Sequence, residues 1–72
     1  MIYEVQASMA GTIWKILVQP GDTFSMGDTV AILESMKMEI PIEAEGSGTV
    51  GTILLKEGDV VDEGVAIFSY TK

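Results

Sequence analysis

Near the middle of the chain, Glu34-Ser35-Met36-Lys37-Met38-Glu39-Ile40 puts one primary amine between two thioethers. The strand-like runs Thr29–Leu33 and Ile40–Ala44 flank it, so the chain must reverse there. Reversals ordinarily use Gly, Asn, Asp or Pro, which tolerate or pre-set the required dihedrals. None of these stands at the centre of this one. A lysine on a turn is by itself a solvated charge, and one methionine can fold back onto a sheet. Two methionines folding back around a protruding lysine are hard to arrange at a tight tip. Methionine is flexible and polarisable, and it suits contact with more than one partner. The grouping reads as an amine displayed for other proteins. Glu34 and Glu39 have two readings, solvated flanks or contacts for whatever enzyme reads the turn.

Other chemistries are excluded by what the chain lacks. It has no His and no Cys, which removes Ser-His-Asp and Cys-His arrangements and imidazole or thiolate metal sites. Asp22–Asp28 lacks the ligand spacing of a calcium loop. Gly46-Ser47-Gly48 is not followed by Lys-Ser/Thr, so it is no P-loop. The 11 acids leave paired carboxylates for acid–base work open by count, but so short a chain has little material for a deep pocket, and the reading is no catalytic residues and no metal. The net charge of −7 argues against nucleic acid and against an anionic membrane surface, both of which need clustered cations. No apolar run approaches the roughly 20 residues that span a bilayer, and the first residues lack the pattern of a signal peptide. A soluble, cytoplasmic monomer is expected, with residues 1–72 as a single domain. A domain of this size buries only roughly 60% of its unfolded surface. No disulfide can assist it, so its core must be economical.

The elements that hold the turn are written twice. Gly11-Thr12-Ile13 matches Gly48-Thr49-Val50, Ile16-Leu17-Val18 matches Ile53-Leu54-Leu55, and Gly21-Asp22 matches Gly58-Asp59. Gly27 matches Gly64, Val30 matches Ile67 and Leu33 matches Tyr70, all at a constant separation of 37 positions. A fixed internal period marks two copies of one structural unit. Each copy has a β-rich run, a Gly-Asp turn, a short link to a second glycine and another apolar strand. The six repeated glycines are assigned to turns and positive-φ positions. Ile40, Ile42 and Ala44 alternate with Glu39, Pro41 and Glu43, the pattern of a strand with one wet face. Pro41 places that strand at an edge or irregularity. The predicted fold is all-β: a small flattened barrel or sandwich, a barrel-sandwich hybrid of two pseudo-twofold halves. The repeat gives Lys37 no internal counterpart, since 37 positions either way lies just past a chain end. The turn is therefore expected at the pole opposite the termini. Trp14 or Phe24, whichever is exposed, would mark a docking face.

The stretch Glu34–Glu39 resembles the attachment motif of the biotinyl/lipoyl attachment domain family, whose common form is Ala-Met-Lys-Met. The halves around it, Ser8–Asp22 with Gly21–Glu39 and Gly46–Asp59 with Gly58–Tyr70, resemble the two halves of the same family. The resemblance covers essentially the whole chain. Within the family it looks like the short free-standing attachment proteins of bacilli. Ser35 stands where alanine is commoner, one small residue for another. The "thumb" insertion of some acetyl-CoA carboxylase carriers is absent.

The resemblance implies that Lys37 is the attachment residue for covalent biotin. Met36 and Met38 become recognition residues, and Ser35, Glu34 and Glu39 become candidate contacts for a biotin protein ligase. The ligase would activate the cofactor's carboxylate as an acyl-adenylate, and the lysine would form the amide. Alkylammonium groups ordinarily titrate near ~10.4. The base that frees the amine is therefore assigned to the ligase, because this chain has no histidine. The implied function is that of a biotin carrier, a non-catalytic subunit shuttling a carboxyl group between biotin carboxylase and carboxyltransferase sites. The alternative is a lipoyl or dually modified carrier, loaded by lipoate ligase and serving 2-oxoacid dehydrogenase complexes. Lipoyl motifs resemble Asp-Lys-Ala without flanking methionines, so Met-Lys-Met favours biotin. A third reading is an unmodified β-sandwich adaptor of the same fold.

Overall fold

The computed structural model describes residues 1–72. Its regular elements are all strands: β1 (Ile2–Gln6), β2 (Gly11–Ile16), β3 (Thr23–Phe24), β4 (Thr29–Ser35), β5 (Met38–Glu43), β6 (Gly48–Ile53), β7 (Val60–Val61) and β8 (Ala66–Thr71). They form two four-stranded sheets, ordered β1-β8-β6-β3 and β5-β4-β2-β7, with every pairing antiparallel. The 37-position offset carries β2 onto β6, β3 onto β7, β4 onto β8 and β1 onto β5, so one sheet's order becomes the other's. The two-residue strands β3 and β7 lie in the stretches that the sequence presents only as links. Two residues carry too little pattern to register as a strand.

Paired hydrogen bonds interlock the halves. The Ile13 amide donates to the Asp59 carbonyl (2.8 Å), and the Val50 amide donates to that of Asp22 (2.8 Å). In return, the Gly58 amide donates to Ile13 (2.7 Å) and the Gly21 amide to Val50 (2.8 Å). Within each Gly-Asp turn the carboxylate closes the loop, Asp22 accepting from the Gln19 amide and Asp59 from the Lys56 amide, both at 2.9 Å. The sequence repeat is thus a repeat of bonding, and each half completes the other's sheet.

One contiguous core lies between the sheets, with Ile13, Val30, Leu33, Ile67 and Phe68 its most fully enclosed large side chains. It is not uniform. Phe24 meets Phe68 and Tyr70 edge-on, at centroid distances of 5.8 and 4.9 Å, and Tyr3 stacks on Tyr70 at 5.5 Å. Their repeat counterparts are the aliphatic Val61, Ala31, Leu33 and Ile40. Aromatic bulk therefore supports the termini and aliphatic side chains support the turn. Phe24 is buried and leaves the list of docking residues, whereas Trp14 is exposed. The apolar alternation of β5 holds, with Ile42 and Ala44 buried, and Pro41 lies on an edge strand, where its missing amide costs no ladder bond.

The repeated glycines divide into two groups. Those at 21, 27, 58 and 64 have positive φ, as turns require. Gly11 and Gly48 do not; each sits at a strand start where another chain segment comes close. A Cβ on Gly11 would stand 2.9 Å from the Glu34 carbonyl oxygen, and one on Gly48 would collide with the Thr71 carbonyl oxygen. Their assignment to turns is corrected to close strand approach.

The long axis of the molecule is 33 Å, against 20 and 18 Å for the others. Near its middle a shallow groove is lined by Ile16 with Ile53, Val18 with Leu55 and Gln19 with Lys56. Each of these pairs is separated by the repeat offset, so the pseudo-twofold axis passes between them. From that axis β2 runs back to Gly11, beside Glu34 and Ser35, and β6 runs back to Gly48, beside Tyr70 and Thr71. The twofold sends these strands in opposite directions. The Met-Lys turn and the paired termini, Ile2 opposite Thr71, accordingly stand at opposite ends.

Candidate functional site

Six residue pairs zip β4 to β5, from Thr29–Glu43 up to Ser35–Met38, leaving Met36 and Lys37 as a two-residue loop. Both loop residues have positive φ, 52° and 65°. A type I′ hairpin requires this of its two central positions, and Asn-Gly usually supplies it. For side chains with a Cβ the left-handed region costs about 1–2 kcal/mol per residue. Met36 and Lys37 are the only non-glycine residues with positive φ. The β4–β5 ladder pays for this strain, which is concentrated at the tip. Strain of this kind clusters at functional sites.

Met36 is 92% exposed and Met38 64% exposed, so neither folds back onto the sandwich. Lys37 is exposed. Elsewhere on the surface, Lys15 Nζ lies 5.7 Å from the Trp14 ring centroid and Lys72 Nζ 4.6 Å from that of Tyr3. Lys37 has no such partner and makes no ion pair. Its amine projects into solvent at the end of a rigid hairpin, between two accessible sulfurs. A carboxylic acid can be joined to it as an amide without disturbing any contact of the fold.

Ser35 is half-buried at the base of the turn, and its Cβ is 3.6 Å from where a Cβ on Gly11 would stand. This gives position 35 a packing reason to be small. Glu34 and Glu39 are directly opposed across β4 and β5, both exposed, one step below Ser35–Met38. That opposition follows from a two-residue loop, and could have been read from the sequence once the loop length was fixed. Like charges so placed destabilise a sheet. No group of His, Cys, Asp and Glu is arranged to hold a metal ion.

Comparison with known proteins agrees with this geometry. Residues 3–69 match the family model described as "Biotin-requiring enzyme". Over 60 residues the chain is 57% identical to the biotin/lipoyl attachment protein of Bacillus subtilis (strain 168), covering 83% of this chain and 82% of that one. It is 37% identical over 71 residues to the biotinylated protein TB7.3 homolog of Mycobacterium leprae, covering 96% of this chain and 100% of that one. In a solved single-chain, multi-domain long-chain acyl-CoA carboxylase, a segment superposes with a TM-score of 0.91 at 25% identity. That match covers 99% of this chain and 7% of the carboxylase. The chain belongs to the biotin/lipoyl attachment family and is a biotin carrier domain, non-catalytic in itself.

Proposed function

We propose that Lys37 carries the biotin as an amide on Nζ, with Met36 and Met38 read by the ligase that installs it. The observation that carries this reading is the unpaired amine held at a strained, solvent-facing turn between two exposed thioethers. A biotin protein ligase supplies the activated carboxyl and the base. The Nζ–C bond forms as the bond to the activating group breaks, and the domain loses one positive charge. The loaded arm then serves a biotin carboxylase site and a carboxyltransferase site on other polypeptides. Glu34 and Glu39, opposed and exposed below the turn, are either solvated flanks or contacts for the ligase. Ser35 acts by fitting under the turn. The domain acts as a monomer, and the cytoplasm is the proposed compartment, which suits a chain without cysteine.

A lipoylated form is the second reading, favoured by the similarity to a protein named for both cofactors. Intact-mass spectrometry of protein from its native host decides between them, since the two adducts differ in mass. Lys37→Ala is expected to return the bare polypeptide mass. An adduct persisting on Lys15, Lys56 or Lys72 would refute the assignment. Replacing Met36 and Met38 together is expected to slow biotin loading; unchanged ligase kinetics would reduce both to bystanders.

A further inference from the structure

The two sheets have matching strand orders but different outer faces. On the sheet that bears the turn, Ile32 pairs with Pro41. Trp14 falls at the bulge between Ile13 and Lys15; Lys15 is the partner of Ile32, and its Nζ lies 5.7 Å from the Trp14 ring centroid. Because Ile13 is buried, Trp14 points outward; it is 41% exposed. Val60, opposite Thr12 on the neighbouring strand, is 81% exposed. The repeat counterparts on the other sheet are Ser69 for Ile32, Glu4 for Pro41, Gly51 for Trp14 and Thr23 for Val60. These four positions are apolar on the sheet with Lys37 and small or polar on the sheet without it, while the exposed Lys15, Glu34 and Glu39 frame them with charge. Folding alone gives no reason for the difference, because both faces are solvent-facing positions of the same architecture.

The spacing relates this patch to the turn. The Ile32–Pro41 pair lies three ladder steps below Ser35–Met38. At about 3.3 Å per residue, that places it roughly 12 Å from Lys37 Cα along the sheet. A lysine side chain extended by a five-carbon acyl arm has about ten bonds, each advancing it by about 1.25 Å, or roughly 13 Å in all. The length of the arm and the depth of the patch agree.

From the attachment reading of Lys37, we infer that Trp14, Ile32, Pro41 and Val60 form a resting platform for the cofactor ring, used between visits to partner enzymes. Fused to a polar ureido ring that stays in water, the cofactor's thiolane ring is saturated and contains a thioether. Such a group gains by leaving water for an apolar surface, and thioether sulfur makes favourable contacts with aromatic rings. The indole of Trp14 supplies the ring contact. Pro41 adds a rigid apolar edge at no conformational cost, and Val60 closes the far side. The contact is shallow, so the ring is released readily to a deeper site.

Trp14 is the chain's single tryptophan, so its fluorescence reports this face alone. The test compares acrylamide quenching of the unmodified and biotinylated full-length chain, each verified by intact mass and by the modified peptide. A blue shift and about a twofold fall in the quenching constant are expected on biotinylation, as for a platform occupied about half the time. The double variant P41E/V60T moves the polar character of the other sheet onto this face. It should erase the difference while keeping a folded circular-dichroism spectrum and melt. If biotin is on Lys37 and quenching is unchanged, the platform is refuted and the attachment reading stands. The platform is refuted equally if the change persists in P41E/V60T. If biotin is found on another residue, both readings fall.

Discussion

Glu34 and Glu39 face each other directly across the β4–β5 ladder, one step beneath the turn that presents Lys37. Directly opposed like charges cost a hairpin a few tenths to about 1 kcal/mol. The turn above them costs more, so the end of the molecule that meets other proteins is the end where local stability has been given up.

Replacing Glu39 by Gln should therefore stabilise the domain, by about 0.2–1 kcal/mol. Urea unfolding would show a higher midpoint with an unchanged slope. Loading by ligase separates the two readings of this residue: a stabilised variant that loads more slowly makes Glu39 a contact, and one that loads normally makes it a solvated flank.

The strain at Met36 and Lys37 gives a second expectation. The double variant M36N/K37G supplies the residues that the loop geometry favours and should raise stability by about 1–3 kcal/mol. It should lose cofactor attachment completely. Lys37→Ala should also lose attachment but keep a Cβ in the left-handed region, and so should lack most of the gain. Thermal melts of the three proteins, with intact-mass analysis of each, would show whether stability and loading part company at this turn.

Gly11 tests how the turn is held from below. Gly11→Ala would drive a Cβ against the Glu34 carbonyl oxygen at 2.9 Å, a rigidly attached carbon against backbone, which cannot yield by a rotamer change. A loss of about 1–3 kcal/mol is expected, in line with other overpacked sites. If β4 gives way instead, the base of the turn moves and loading slows. An alanine at position 11 with wild-type stability and loading would show that β2 does not brace the turn.

Much of this architecture was legible in the chain because two independent patterns agreed. The 37-position repeat tied Gly11 to Gly48 and Gly21 to Gly58, and strand-like alternation filled the space between. Pro41 pointed to an edge or irregularity, and its strand is an edge. The conspicuous Met-Lys-Met turn singled out Lys37. The short strands Thr23–Phe24 and Val60–Val61 were not legible, because their existence depends on β6 and β2 arriving from the other half. For the same reason Phe24 could not be placed: only the assembled core shows it against Phe68 and Tyr70. Gly11 and Gly48 look like turn glycines from their neighbours, and only the approach of Glu34 and Thr71 shows otherwise. The sidedness of the outer faces was hidden until the register placed Ile32 between Pro41 on one neighbouring strand and the Trp14 bulge on the other.

The pairing of Ile2 with Thr71 has a consequence for biosynthesis. Of the eight strands, β1 is made before the others, yet its neighbour in the sheet is β8, the one made after them. A chain still on the ribosome can close the local β4–β5 hairpin but cannot complete the sheet that receives β1. Non-local pairing of this kind is slow to form, so the scaffold behind Lys37 becomes rigid only after residue 71 has emerged. Without β8, the β4–β5 hairpin can still close, but β1 has no neighbour in its sheet.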